Sequence, residues 1–436
     1  MNGLEKIEHA CLTDVGVRRS HNQDNHAVLV GADERQWRAH GHLFVVADGM
    51  GGHAVGELAS QQAVATIPHI YHKHAKMGAV KALRVSYEEA NANIYSKGQQ
   101  NREFEGMGTT ATTLLLKPEG AWIAHIGDTR VYRIRNLGEK GLIEQLTYDH
   151  SLAWEIARQR RVEPEAVQVP TNVLIRSLGP TAIAEVDIDG PYPIENGDIF
   201  LLCSDGLSGQ VSDNEIGSVA TALAPAEACR FLIDLANIRG GPDNITVLII
   251  RVGEACAESV PETRPRKARR APAGRSPWAN AWPLVALLLG IFLSVVASWL
   301  TYNRIEFGKA TYILAAVVVV AGLLGLFIEH RREKSQIVEA PPPMARVHRQ
   351  TNCKIDRETV DKLARSSESL RQRASDLQTE ADRATYRQHA DAAAKFLETG
   401  DFTAAFREHC RAMRSVMDVF ARLKTKVEMF QPVWER

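Results

Sequence analysis

Through the first 254 residues, short apolar runs alternate with segments whose apolar positions recur every three or four residues. The runs 42–47, 111–116, 122–126, 131–134, 199–203 and 245–252 are bounded by turn residues and predict strands. Helical periodicity covers roughly 56–73, 78–97, 152–159 and 225–238. Strand neighbours such as 111–116 and 121–126 lie too close in sequence to be joined by a crossover helix, so they predict antiparallel pairing in a mixed α/β domain over 1–254.

The pattern changes past the middle. Residues 281–300 and 310–328 run without a charged side chain, each long enough as a helix to cross a hydrocarbon core of about 30 Å. Trp278, Trp282, Trp299, Tyr302 and Tyr312 flank these runs, where amphipathic rings favour a membrane interface. Basic residues precede the first run (Arg264, Arg266, Lys267, Arg269, Arg270, Arg275) and follow the second (Arg331, Arg332, Lys334). The expectation is a transmembrane hairpin over 281–328, with spans 281–300 and 310–328 and both chain ends cytoplasmic. A basic Pro/Arg-rich linker, 255–280, precedes it, where lipid headgroups would attract the cations, and a second linker, 329–352, follows.

Residues 353–436 read as α-helical. Leu363, Leu370 and Leu377 recur every seven residues, and Phe402, Phe406, Cys410, Met413, Val416, Met417, Phe420 and Leu423 form a stripe. Gly400 and Asp401 read as a helix stop followed by an N-cap. Without catalytic clusters, this segment predicts an interaction module for a protein partner or self-association. The stretch 391–413 also resembles one tetratricopeptide hairpin, which is weak evidence by itself.

Composition adds little to this division. With 45% hydrophobic and 24% charged residues among 436, the chain is that of a folded protein. Its formal neutrality hides an acidic front, with 23 Lys and Arg against 32 Asp and Glu through residue 254, and a basic back. Six cysteines without a Cys-x-x-Cys pair argue against a zinc ribbon, a redox motif or a disulfide framework, and favour a reducing compartment. The charged first 25 residues predict no signal peptide. No nucleic-acid partner is expected.

The chemistry is suggested by where aspartates fall. Asp48, Asp128 and Asp205 each follow an apolar strand, Asp243 stands just before the last one, and Asp24 follows Arg19 by five residues. One Asp-Gly after a strand is ordinary turn chemistry, but four aspartates at strand ends together with Asp24 predict a converging cluster. Crowded carboxylates repel and protonate unless hard divalent cations bind them, and Mg²⁺ or Mn²⁺ suits oxygen ligands. Two such ions can activate a water for in-line attack on a phosphate ester, and Arg19 can offer a guanidinium fork to the phosphoryl oxygens.

Eight ordered segments carry a family resemblance: TDVGVRRSHNQD (13–24), VVADGMGGHAVGE (45–57), GMGTTAT (106–112), HIGDTRVYRIR (125–135), LTYDHSL (146–152), IRSLG (175–179), GDIFLLCSDGL (197–207) and GGPDNITVLII (240–250). The front domain resembles the bacterial-style metal-dependent serine/threonine protein phosphatases of the type 2C (PPM) family. The resemblance implies an α+β fold, a four-layer αββα sandwich of two mainly antiparallel sheets, here followed by the hairpin and the helical module. It implies two metals and a weaker third, Mn²⁺ or Mg²⁺. Asp48, Gly49, Asp205 and Asp243 match metal ligands, and Asp24 acts beside them. Asp128 matches a ligand of the third metal, and Arg19 the phosphate-binding arginine. Arg19, Asp48 and Asp205 are the expected catalytic residues.

Two positions depart from the family pattern. Met50 stands where some members carry a histidine proposed as general acid, a role that does not transfer simply to His53, and Gln23 stands where a glutamate is frequent. Thr109, Thr110 and His150 read as structural, Asn244 as orienting the loop of Asp243, and Asp149 as a cap for the helix near Ser151. Residues 152–172 correspond to the family's variable flap. The expected activity is hydrolysis of phosphoserine and phosphothreonine on proteins at the cytoplasmic face of a membrane, with membrane-bound kinases or their substrates as targets. The rival expectation is a non-catalytic adaptor acting through its C-terminal helices; a degenerate adaptor should have lost one of Asp48, Asp205 or Asp243, and all three are present.

Overall fold

The structure is a computed structural model that describes residues 7–51, 54–137, 140–170, 173–253, 282–303, scattered positions between 311 and 319, and 345–429 apart from 376 and 378. Contacts divide the chain into two compact units, residues 1–260 together with 344–436, and residues 261–343.

Two antiparallel sheets form the centre of the first unit. One holds β1 (Ile7–Asp14), β11 (Ile245–Val252), β10 (Ile199–Cys203), β7 (Arg130–Leu137), β8 (Lys140–Gln145) and β12 (Arg349–Asn352), in that spatial order. The other holds β2 (Asp24–Leu29), β3 (His42–Met50), β5 (Ala111–Lys117), β6 (Gly120–Ile126) and β9 (Asp187–Tyr192), with the short β4 (Gly108–Thr109) beside β3. Phe44 and Val46 of β3 pack against Phe200, Leu202, Leu248 and Ile250 between the sheets. Leu43, Val45 and Ala47 face the other way, into a core with Ile67 and Tyr71 of α2 (Ala54–His74) and Leu83, Tyr87 and Ile94 of α3 (Ala79–Gly98). Covering on both faces explains why these strands are continuously apolar rather than alternating. The four-layer sandwich is thus present.

The strands expected from apolar runs are all found, each within a few residues. Those absent from the sequence reading, β1, β2, β8, β9 and β12, have mixed patterns because they lie toward sheet edges or carry polar residues. Also unexpected were α1 (Glu34–His40), capped by Asp33, and α6 (Asp213–Ala222), opened by a capping box of Ser212 and Glu215. The remaining elements of the front half are α4 (Leu152–Arg160), the short α5 (Asp205–Ser208) and α7 (Pro225–Ile238), whose proline occupies the first turn.

Residues 345–429 fold onto this sandwich. The helices α9 (Arg357–Arg373), α10 (Glu380–Thr399) and α11 (Phe402–Met429) are numbered after α8 (Trp282–Tyr302) of the second unit. Gly400 takes the left-handed conformation (φ 78°) and Asp401 accepts the Ala404 N–H at 2.9 Å, so the expected stop and cap are present. Phe406, Cys410, Met413, Val416 and Met417 share one core with Ile216, Val219, Phe231 and Leu232 of α6 and α7. Arg411 pairs with Glu227 at 2.8 Å and Arg407 donates to the Ala222 carbonyl at 2.7 Å. From Phe402 to Phe420 the apolar stripe of the expected interaction module is therefore covered by the chain's own helices.

The expected membrane hairpin over 281–328 is not borne out: among the described residues no helix is long and apolar enough to cross a membrane. Its first segment falls on α8, Trp282–Tyr302, which carries no charged side chain. The second segment and the linker 255–280 lie largely or wholly outside the described residues, as does the expected linker 329–352 up to 344, whereas its last four residues form β12 and belong to the sheet.

Candidate active site

Pairing of β2 with β3 in one sheet sets Asp24 beside Asp48. They are partners in the antiparallel register of β2 and β3, although 24 positions apart, because the intervening chain turns through α1. Asp48 is held from the backbone: its N–H donates to the Thr110 hydroxyl at 2.9 Å, and its carbonyl accepts the Thr110 N–H and the Thr109 hydroxyl, both at 2.8 Å. From the other sheet, Ser204 at the end of β10 donates to Asp24 Oδ2 at 2.7 Å, and Asp205 follows as the first residue of α5. Asp243 precedes β11, and Arg19 Nη2 reaches its Oδ2 at 2.7 Å. Asp128 ends the turn after β6 and lines a pocket of about 300 Å³ with Asp205, Asp149, Trp154, Pro164 and Glu165.

All five aspartates therefore gather where the ends of the two sheets meet. Burial pushes the Asp48 carboxyl well above the ordinary range, reinforced by Asp24, Asp205, Asp128 and Asp243. Burial likewise raises Asp128 well above its usual value and Asp24 to about 7, although Ser204 pulls Asp24 back down. Asp205 is pushed up to about 6, by burial first and then by Asp243, with Arg130 and Arg19 opposing. Oδ1 of Asp24 and Oδ1 of Asp205 are buried without a hydrogen-bond partner. Such groups call for positive charge that the nearby side chains only partly supply.

The donor set fits hydrated divalent cations. Among the described residues no three His, Cys, Asp or Glu side chains close into a cage of their own. Mg²⁺ and its relatives keep several waters and need few protein ligands, so carboxylates spread around a cleft suit them. Two close approaches fix the cleft's shape. A Cβ on Gly49 would meet the Gly56 carbonyl oxygen at 2.1 Å, and one on Gly206 would meet that of Asn244 at 2.0 Å. Asn244 ties the rim together, since its amide donates to the carbonyls of Val15 and His21, and its Oδ1 accepts the Gln23 N–H at 2.8 Å. Gln23 donates through Nε2 to the Gly51 carbonyl at 3.2 Å, and His53 lies outside the described residues.

Among the supporting residues, Asp149 differs from the sequence reading, His150 agrees with it and Ser204 was missed by it. Asp149 does not cap α4; Ser151 does, and Asp149 instead grips Arg130 through both carboxylate oxygens, at 2.7 to 3.1 Å. Burial makes that pairing preferable to a solvent-facing cap. His150 is structural, accepting the Gly127 N–H at 3.1 Å and meeting Asp187 at 3.1 Å. Ser204 received no role from sequence, because a serine before Asp-Gly reads as turn chemistry and its partner lies 180 residues away.

A family model described as protein phosphatase 2C matches residues 17–236. Protein phosphatase PhpP of Streptococcus pneumoniae is 36% identical over 261 residues, covering 58% of this chain and 100% of that protein. Among solved structures, the serine/threonine phosphatase of S. agalactiae is 34% identical with a TM-score of 0.50, covering 56% of this chain and 99% of that one. The catalytic domain of PstP, a Mycobacterium tuberculosis protein solved with two manganese ions, is 32% identical with a TM-score of 0.48, covering 57% of this chain and 99% of that one. The chain belongs to the protein phosphatase 2C family of serine/threonine phosphatases.

Proposed function

We propose that the chain hydrolyses phosphoserine and phosphothreonine on proteins, with water as the direct nucleophile. The observation that carries this is the convergence of Asp24, Asp48, Asp128, Asp205 and Asp243 at one end of the sandwich, with Arg19 on its rim. In this reading Asp48, the Gly49 carbonyl, Asp205 and Asp243 hold two cations with Asp24 beside them, and Asp128 and Asp205 hold a weaker third. The bound cations would lower the pKa of a water and stabilise charge on the phosphoryl oxygens. Arg19, turned by its bond to Asp243, presents its remaining guanidinium N–H groups to the phosphoryl group. Met50 carries no titratable proton, so the leaving alkoxide is not protonated from that position. Cys203, near the site, is fully buried and its thiol is pushed up by that burial, which suits packing rather than nucleophilic attack.

The test is hydrolysis of a phosphothreonine peptide by the full chain with Mn²⁺, Mg²⁺ or a chelator, beside Asp48→Asn and Asp205→Asn. Metal-dependent turnover lost in both variants is expected. A folded, metal-loaded protein without turnover would instead favour the adaptor.

We infer in addition that this chemistry takes place at the cytoplasmic face of a membrane, on membrane-bound kinases or their substrates. The uncharged runs 281–300 and 310–328 with their basic flanks support that placement, and lipid would be a partner of both. Fractionation of cells expressing the full chain checks it: the chain should resist alkaline extraction and yield to detergent, and recovery in the soluble fraction would overturn the placement.

A further inference from the structure

We propose that Arg349, outside the segment matched by the phosphatase family, is a positioning residue that holds flap residues 163–165 at the mouth of the Asp128–Asp205 pocket and so tunes which phosphorylated peptides enter. The proposal rests on the phosphatase reading above and adds a determinant of substrate choice.

The strand that carries Arg349 is firmly seated. Residues 349–352 pair antiparallel with 142–145 at the edge of the first sheet, extended on either side by His348 N–H to the Gln145 carbonyl and Cys353 N–H to the Gly141 carbonyl, both at 2.9 Å. Ahead of the strand, the Tyr192 hydroxyl donates to the Arg346 carbonyl at 2.8 Å. Behind it, Cys353 is buried against the bare face of Gly217, where a Cβ would meet the cysteine Cβ at 2.6 Å. Pairing also covers an edge that β8 would otherwise expose.

From this seat Arg349 faces three acids. Its Nη1 lies 2.8 Å from Glu165 Oε1, Nη2 lies 3.7 Å from Glu163 Oε2, and Nε lies 4.0 Å from Asp213 Oδ2. Glu163 and Glu165 belong to the short turn after α4, whose own hydrogen bonds are local: Val162 N–H to Ala157, Ala166 N–H to Glu163 and Val167 N–H to Pro164. Val167 is buried at the end of the turn, and Arg349 adds a polar tie from the exposed Glu163 and Glu165 to the sheet. Pro164 and Glu165 line the same pocket as Asp128 and Asp205. Asp213 extends the connection inward, accepting the Tyr132 hydroxyl at 2.8 Å; that hydroxyl accepts from Arg130, which grips Asp149 and lies 5.6 Å from the Trp154 ring centre on the pocket wall.

Glu163 and Glu165 are mostly exposed, so their pairing with Arg349 contributes little to overall stability. Its removal should shift the flap without unfolding the domain. The test uses the purified full chain with Mn²⁺ and two substrates, a phosphothreonine peptide long enough to cross the flap and p-nitrophenyl phosphate, which is too small to reach it. Arg349→Ala and Glu165→Ala should each raise the peptide KM by about three- to fivefold. Peptide kcat and both constants for p-nitrophenyl phosphate should change less than twofold. The double variant should be no worse than either single one, and Arg349→Lys should recover part of the loss. An unchanged peptide KM, equal losses on both substrates, or additive losses in the double variant would overturn the positioning role. Turnover of neither substrate by the unmodified chain would overturn the phosphatase reading itself, and this proposal with it.

Discussion

Ser204 donates its hydroxyl to Asp24 Oδ2 at 2.7 Å and accepts the Thr246 N–H at 2.9 Å, joining the ends of β10, β2 and β11 at the floor of the metal cleft. It supplies Asp24 with a donor from the opposite sheet, and the other Asp24 oxygen has no hydrogen-bond partner among the described residues. The site is thus assembled across the sandwich rather than within one sheet.

Ser204→Ala leaves Asp24 Oδ2 and the Thr246 N–H buried without that partner. A loss of about 1–3 kcal/mol in unfolding free energy is expected. The Mn²⁺ concentration for half-maximal turnover should rise as well, because Asp24 is no longer held. Denaturant unfolding and a metal titration of activity check the two effects, and no change in either would remove Ser204 from the support of the site.

Metal-free stability should fall as pH rises. Asp24 and Asp205 have folded pKa values of about 7 and about 6, above the ordinary carboxylate value of 3.8. A raised carboxyl stabilises the fold fully below its unfolded pKa, and that contribution is lost as pH climbs through the folded one. In chelator the unfolding temperature should therefore decline between about pH 4 and pH 7, relative to the Mn²⁺-loaded protein. Parallel curves with and without metal would contradict the crowding of these carboxylates.

Gly49→Ala should abolish activity although it changes no ligand side chain. Its Cβ would stand 2.1 Å from the Gly56 carbonyl oxygen and 2.8 Å from that of Gln23, so the backbone beside Asp48 must move. Loss of metal-dependent turnover in a variant with native-like circular dichroism is the expected result.

Arg19→Lys keeps a positive charge and loses the planar fork. Hydrogen bonds to charged groups contribute about 1.5–3 kcal/mol, so kcat/KM for a phosphopeptide should drop by about ten- to a hundredfold. Steady-state kinetics of the full chain measure it, and a Lys variant equal to the unmodified protein would rule out two-pronged recognition.

Residues 1–254 by themselves should be poorly stable. Without 345–429, the faces of Ile216, Val219 and Phe231 that meet Phe406, Met413 and Met417 would be open to water. Apolar burial contributes about 25 cal/mol per Å², so losing an interface of this kind should lower the unfolding temperature and increase binding of a hydrophobic dye. Equal stability of the truncated and full chains would show that the helices are dispensable for folding.

Much of this was legible in the sequence. Runs such as 43–47 and 247–250 are apolar at every position because both faces of the strand are covered, and that signal is local. The aspartates were legible too, since each stands at a turn next to such a run. Edge strands were not: β1 and β12 alternate weakly, and Asp149 beside Ser151 looks like a cap until the buried Arg130 is seen facing it.

By itself, then, the chain's order of residues determined the apolar central strands, the carboxylates beside them and the family to which they belong, because these depend on neighbours within a few positions. Tertiary structure alone decided that Ser204 serves Asp24, that the stripe from Phe406 to Met417 packs on α6 and α7, and that Arg349 reaches the flap. An apolar stripe specifies that a face must be buried, not by what, and a polar side chain's partner is set by the packing of elements distant in sequence.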